Sequence, residues 1–146
     1  MDLSPQAAKD DWSGDTGVGG QYFSQDAVIR LAPAAGIPLP EMLTPAEKLS
    51  AVQELAAAGD PRALAVFRDI GVYLGHTLPL YAGVYELKNL MVLGRVASGI
   101  GGELIVSECR RVLAEEYPAL RVSVTLPDEQ FRRVGQSVAA ASLPEV

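Results

Sequence analysis

The sequence contains a single cysteine, Cys109, and a single histidine, His76. One cysteine cannot form an internal disulfide, so a reducing compartment, the cytoplasm, is the expected setting. A metal site or catalytic triad built on these two residues is disfavoured because they lie far apart in the sequence. Cys109 shares a predicted helix face with Ile105 and Val112, which indicates a small buried hydrophobe rather than a nucleophile. His76 is expected to be a helix residue near the core.

Long apolar runs and clusters of positive charge are also scarce. The run LPLYAGVY at 78–85 is far shorter than the roughly 20 residues that a membrane span needs, and the start of the sequence shows no basic stretch followed by an apolar one. Neither a membrane anchor nor a signal peptide is predicted. The formal net charge is −6, and basic residues gather only in the pairs Arg110/Arg111 and Arg132/Arg133. Nucleic-acid binding by this chain is therefore disfavoured.

The composition and the periodic patterns of the sequence predict one domain that begins with an irregular segment. Residues 1–18 are acidic, polar and dotted with glycine, without periodicity, and are expected to form a flexible tail or linker. Residues 19–146 carry the periodic patterns. Of all 146 residues, 49% are apolar, which is enough for a single core.

Helix signals dominate the first two thirds of the chain. A helix is predicted from Gly20 to Ala35. Thr44 and Glu47 have the spacing of a capping box, with proline at the first helical position, and that helix should end at Gly59. Asp60-Pro61 repeats the start signal at once, so a second, long helix should return antiparallel to the first.

The last third predicts an α/β unit. The continuous apolar run LMVL at 90–93 is typical of a strand covered on both faces, a helix should follow from Gly101 to Glu116, and LRVSVTL at 120–126 alternates as a half-exposed strand does. A strand, a helix and a strand at this spacing form a right-handed crossover with parallel strands. A final helix is expected from Asp128. The predicted fold class is α/β, mostly helical, with a two-stranded sheet whose faces and edges need further cover.

A glycine-rich loop, GRVASGIGG at 94–102, follows the first predicted strand. Ligands of open α/β sheets bind beyond the carboxyl ends of strands, where helix amides are unpaired and glycine lets a phosphate or nucleoside approach. The loop has neither the phosphate-loop pattern nor the dinucleotide fingerprint, so a tight turn that only starts a helix remains the alternative. The candidate nucleotide-binding residues are Gly94, Arg95, Ser98, Gly99, Gly101 and Gly102.

The order of these parts resembles a known family. Residues 59–105, GDPRALAVFRDIGVYLGHTLPLYAGVYELKNLMVLGRVASGIGGELI, resemble the closing part of the ROK family (repressor, open reading frame, kinase). Its members are bacterial sugar kinases and sugar-responsive regulators that share the fold of actin and hexokinase. The stretch LPDEQFRRVGQSVAAASLP at 126–144 is similar to the last helix of the family, and the resemblance extends over about residues 17–144.

The resemblance implies a role for the glycine loop. In the family's kinases the corresponding strand ends in a glycine cluster that lies against the adenosine and phosphates of ATP. By position, Gly94 matches the first glycine of that cluster, and the segment from Ser98 to Gly102 leads into the helix. Arg95 and Val96 stand where the family usually has glycine. Their side chains could fill the nucleotide pocket, or Arg95 could supply a cation to a phosphate.

The resemblance also implies that catalytic parts lie elsewhere, since this chain lacks the family's phosphate-binding hairpin, its catalytic aspartate and its zinc motif. No catalytic or metal-binding residue is therefore assigned. The chain is expected to be the carboxy-terminal part of a parent protein that uses ATP and magnesium to phosphorylate a hexose. Its expected partners are the missing amino-terminal part and further copies in a homo-oligomer. The alternatives are a non-catalytic sugar-responsive regulator or assembly module of the same fold, and a free-standing helical domain unrelated to kinases.

Overall fold

The computed structural model describes residue 2 and residues 4–127. The described part is mostly helical, with one small sheet. Its elements are α1 (Gly20–Phe23), α2 (Gln25–Ala34), α3 (Pro45–Ala57), α4 (Pro61–Ala82), β1 (Asn89–Met91), a 3₁₀ turn (Arg95–Ala97), α5 (Gly99–Glu116) and β2 (Ser123–Thr125). None of the described helices combines the length and apolar character that a membrane span requires. The helix predicted from Asp128 lies outside the described residues.

The predicted cap of α3 is confirmed in full. The Thr44 hydroxyl accepts a hydrogen bond from the Glu47 amide at 3.3 Å, and the Glu47 carboxylate accepts one from the Thr44 amide at 2.7 Å. Helix α3 ends at Ala57, and Gly59 reverses the chain with a φ of +83°. Asp60 then caps α4 by accepting a hydrogen bond from the Arg62 amide at 2.9 Å. These bonds span at most three residues, which is why the sequence pattern locates them.

The single helix predicted from Gly20 to Ala35 is two helices. Ser24 has an extended backbone between α1 and α2, and its hydroxyl donates to the Gly20 carbonyl at 2.6 Å. The same oxygen accepts a hydrogen bond from the Asp26 amide at 3.0 Å. One serine therefore closes the first helix and caps the second, and the apolar periodicity does not record that break.

The core is organised by the contact between α4 and α5. Gly71 and Gly75 lie one turn apart on α4, and both are buried. A β-carbon at Gly71 would stand 2.6 Å from the Ile105 carbonyl oxygen, and one at Gly75 would stand 2.7 Å from the β-carbon of Val112. The two glycines therefore allow the helices to approach closely, and around this contact the apolar face of each helix is buried.

The predicted parallel pairing of the two strands is confirmed. Asn89 lies opposite Ser123 and Met91 opposite Thr125 in a two-stranded parallel sheet. The expectation that the first strand is covered on both faces is wrong, since Met91 is 56% exposed and Leu90 is only partly buried. Within the described residues a single layer packs on this sheet, so an apolar strand leaves one face open. The second strand is half-exposed as predicted, with Val124 buried.

The lone cysteine and the lone histidine differ in their surroundings. Cys109 is fully buried on α5, as predicted, and burial raises the pKa of its thiol to about 11. Such a thiol is inert at neutral pH. His76 lies on α4 but is exposed rather than near the core, and its Nδ1 stands 3.0 Å from the hydroxyl oxygen of Tyr117.

Candidate functional site

The glycine loop begins where β1 separates from β2. The last sheet bond runs from the Val92 amide to the Thr125 carbonyl at 2.9 Å. The chain then passes Gly94, makes the turn Arg95–Ala97, and enters α5 at Gly99. The loop thus lies at the carboxyl end of a parallel strand, which is the edge where open α/β sheets hold ligands.

Two of the loop glycines are required by backbone conformation. Gly94 has a φ of +101° and Gly99 a φ of +59°, a range that residues with a β-carbon rarely adopt. Both are exposed, and a β-carbon added at either would meet nothing within 4 Å. The backbone is therefore accessible from outside at these two positions.

The other two loop glycines are required by packing. Gly101 and Gly102 are buried in the first turn of α5. A β-carbon at Gly101 would stand 2.7 Å from the ring of Phe67, and one at Gly102 would collide with the carbonyl of Ala97. Both glycines hold the start of α5 against α4 and the 3₁₀ turn. Gly101 also borders the groove described below, whereas Gly102 does not line it.

The start of α5 has no side-chain cap. Ser98 occupies the N-cap position with an extended backbone, but its side chain makes no capping hydrogen bond. The first amides of a helix have no partner within the helix, and they carry the positive end of its dipole. The Ser98 amide donates to the Arg95 carbonyl at 3.2 Å. Gly99 and Ile100 are exposed, so in the described part of the chain their amides are left to solvent or to a ligand.

A shallow groove of about 330 Å³ separates this loop from α3. One wall is formed by α3 and the other by the loop and the first turn of α5; its lining residues are Ser50, Gln53, Glu54, Ala57, Ser98, Gly99, Ile100 and Gly101. The Gln53 side-chain amide donates to the Arg95 carbonyl at 2.8 Å and so joins the two walls. Sequence reasoning missed the α3 wall, because no local pattern indicates that residues 50–57 meet residues 98–101.

The two residues that depart from the family's glycines take different positions. Val96 is 5% exposed and packs in the hydrophobic core, so its side chain does not fill the groove. Arg95 is exposed and does not line the groove, although its carbonyl accepts the hydrogen bond from Gln53. Neither Arg95 nor Val96 therefore lines the groove.

No protein-family model matches this chain, and neither a curated protein nor a solved structure shows a significant match to it.

The structure also contains a second concavity that the sequence did not indicate. It lies between the start of the chain, α1 and the C-terminal half of α4, and aromatic side chains, among them Tyr22, Tyr73 and Tyr81, line it. Tyr73 and Tyr81 lie about two turns apart on α4, but Tyr22 comes from α1, so only folding brings the three together. Among the described residues, no group of three or more histidine, cysteine, aspartate or glutamate side chains is placed to hold a metal ion.

Proposed function

We propose that this chain is the nucleotide-side part of a sugar-kinase-like protein of the ROK type, and that the groove between α3 and the glycine loop receives the adenosine of ATP. One observation carries the proposal. An open groove lies at the carboxyl end of a parallel strand, beside a helix start without a side-chain cap and two glycines whose backbone is accessible.

The chemistry of the two walls fits a nucleoside with attached phosphates. Glu54 offers an exposed carboxylate on the α3 wall, and a carboxylate is a good acceptor for ribose hydroxyls. The amides at Gly99 and Ile100 and the dipole of α5 favour a phosphate at the other wall. Arg95 is exposed in the same loop and adds a positive charge there.

The proposed reaction needs parts that an intact parent supplies. Phosphoryl transfer requires the acceptor, the base, the metal and the phosphates to be held together. In the proposal a hexose, magnesium and the catalytic aspartate are held by the missing amino-terminal part, in the cytoplasm where ATP is available. The exposed face of β1, with Met91 at 56% exposure, supports a partner surface on this side, either that missing part or a second copy in a homo-oligomer.

Nucleotide binding by the 146-residue chain tests the proposal directly. Titration with ATP, ADP and adenosine, followed by amide NMR, should shift the signals of Gln53, Ser98, Gly99 and Ile100. ATP is expected to bind more tightly than adenosine, because only ATP brings phosphates to the start of α5.

A matched pair of variants distinguishes groove binding from binding elsewhere. Ala57→Phe places a ring in the groove, whereas Ala58→Phe places the same ring on the next residue, which is exposed and does not line the groove. We expect Ala57→Phe to weaken ATP binding by about tenfold or more, because its ring occupies space in the groove that the nucleotide needs. Ala58→Phe should leave ATP binding unchanged. Equal affinities for the two variants would refute the groove as the nucleotide site.

The second candidate function is a non-catalytic regulator or assembly module. It is favoured by the exposed apolar side chains Met91 and Leu93 beside the sheet, which would serve subunit contact. Sedimentation of the chain and of Met91→Lys discriminates between the two. Self-association that Met91→Lys abolishes, together with no ATP binding, would support the assembly role over the nucleotide role.

A further inference from the structure

The second concavity, of about 310 Å³, is a separate candidate site. It is formed where the start of the chain crosses α1 and α4, and its lining includes Asp2, Tyr22, Phe23, Tyr73, His76 and Tyr81. It shares no lining residue with the groove at the glycine loop. A volume of this size suits a small ligand, and a lining of aromatic and apolar side chains with a few polar groups is typical of binding sites.

Aromatic rings line the cavity. Tyr22 and Tyr73 meet edge to face, with ring centroids 5.9 Å apart and an angle of 82° between their planes. The guanidinium carbon of Arg30 already stands 4.8 Å from the centroid of the Tyr22 ring. Tyrosine faces attract cations through their quadrupole, and within the protein this ring already does so.

Asp2 is held at the cavity by several contacts. Its amide donates to the Gly17 carbonyl at 3.1 Å, and a β-carbon at Gly17 would collide with the backbone of Asp2. The Asp2 carboxylate accepts hydrogen bonds from the Tyr22 hydroxyl and, at 2.9 Å, from the Ser4 amide. Hydrogen bonds from the Tyr22 hydroxyl and then from Ser4 keep the pKa of Asp2 below its usual range, so the carboxylate is charged at neutral pH.

The charged lining of the cavity is acidic. Among the residues that the structure describes, no lysine or arginine lines it, and the Asp2 carboxylate lies beside four aromatic rings. The Asp2 carboxylate would repel an anionic ligand, and a neutral ligand would form no ion pair with it. A cation with apolar substituents satisfies both the carboxylate and the rings.

We propose that this cavity binds a small organic ammonium ion, of the quaternary or methylated amine class, between the tyrosine rings and the Asp2 carboxylate. The site is independent of the nucleotide groove, so the two proposals stand or fall separately.

Choline and its uncharged carbon isostere, 3,3-dimethyl-1-butanol, test the role of charge. The two have nearly the same shape, so a site that recognises only shape binds both. In NMR titrations of the 146-residue chain, choline should shift the signals of Tyr22, Tyr73, Thr77 and Tyr81 saturably. The isostere should bind about tenfold more weakly or not at all. Equal affinities, or no saturable shift with choline or with tetramethylammonium, would overturn the proposal.

Two matched pairs of variants locate the site. Asp2→Asn should weaken choline binding by about tenfold, whereas Asp11→Asn, at an exposed residue outside the cavity, should not change it. Tyr81→Leu should weaken binding several-fold through loss of a ring, and Tyr85→Leu, also exposed and outside the cavity, is its control. If Asp2→Asn loosens the start of the chain, the comparison of Tyr81→Leu with Tyr85→Leu still tests the site, because Tyr81 lies on α4 and not in that segment. Choline affinity unchanged by Tyr81→Leu would contradict the assignment.

Discussion

The two pairs of glycines in the segment Gly94–Gly102 have opposite environments. Gly94 and Gly99 are exposed, adopt positive φ and would accommodate a β-carbon without contact. Gly101 and Gly102 are buried and touch Phe67 and Ala97 so closely that a β-carbon cannot fit. Glycine density in one short loop therefore has two separate causes, backbone conformation and close packing, and neither by itself requires a ligand.

This difference narrows the surface that a ligand could use. The accessible backbone of the loop extends over Gly94, Ser98, Gly99 and Ile100, while Gly102 serves the core. If a nucleotide binds, it is expected to meet the open pair of glycines and the α3 wall. Substitutions in the buried pair should change folding first.

The largest difference is expected at Gly102. Gly102→Ala forces a β-carbon into the Ala97 carbonyl, and because backbone cannot move aside cheaply, we expect a loss of about 3 kcal/mol or more in the free energy of unfolding. Urea denaturation followed by circular dichroism measures it. Glu103→Ala, at the exposed next residue, is the control and should change stability little. A loss below about 1 kcal/mol at Gly102 would mean that the two pairs do not differ.

The reactivity of a buried and an exposed thiol compares the same two environments, the core and the surface, chemically. Burial raises the pKa of Cys109 to about 11, so at pH 8 only about one thiol in a thousand is ionised, against about one in ten for a thiol with the ordinary pKa of 9.0. A cysteine introduced as Ser98→Cys should therefore react with Ellman's reagent at least about 100-fold faster than Cys109. Similar rates for both thiols would contradict the buried environment of α5.

The raised pKa of Cys109 also makes the stability of the fold depend on pH. The unfolded thiol ionises near its ordinary pKa of 9.0, and the folded thiol only near a pKa of about 11. The neutral thiol therefore stabilises the fold below about pH 9, and this contribution is lost as the pH rises from there towards 11. In Cys109→Ala, denaturation at several pH values should lack this alkaline component.

A smaller effect is expected where α4 and α5 meet. Gly71→Ala would place a β-carbon 2.6 Å from the Ile105 carbonyl, and we expect it to cost about 2 kcal/mol because the helices must move apart. Gly83→Ala is the control from the end of the same helix, where the nearest atom would stand at 3.4 Å and φ is −71°. It should be neutral or slightly stabilising in thermal denaturation. Equal melting temperatures for the two variants would argue against the close helix contact.

The smallest effect on stability is expected at the exposed glycines, Gly94 and Gly99. Gly99→Ala introduces a β-carbon at a φ of +59°, and we expect a cost of about 1 kcal/mol from backbone conformation alone. Gly99→Asn should cost less, because asparagine tolerates the left-handed region better than alanine does. Chemical denaturation of the two variants measures the difference. Asn as destabilising as Ala would show that space, and not φ, selects glycine here.

Sequence reasoning succeeded where the deciding contacts are local. The caps at Thr44 and Asp60 and the helix face around Cys109 depend on residues within a turn or two, so composition and spacing reveal them. The break at Ser24 was missed because a serine in a periodic stretch reads equally well as a surface helix residue. The exposure of Met91 was missed because an apolar run does not show whether one or both faces of a strand are covered.

The candidate sites were predictable only in part. The glycine loop and its place after a strand were visible, but the α3 wall of the groove and the division of the glycines into two pairs were not. The tyrosine cavity gave no signal, since Asp2 lies at the start of the chain, Tyr22 on α1, and Tyr73 and Tyr81 on α4, with α2 and α3 between α1 and α4 in the sequence. Convergence of distant residues is a property of packing, not of spacing.

The amino-acid sequence by itself determined the starts of α3 and α4, the parallel strand, helix and strand unit and the buried cysteine, because capping bonds and apolar periodicity act over a few residues. Tertiary structure alone decided which glycines face solvent and which face the core, and which side chains meet across the two concavities. The physical reason is that these outcomes depend on how closely α3, α4 and α5 approach one another, and that distance is set by the packing of all three helices together.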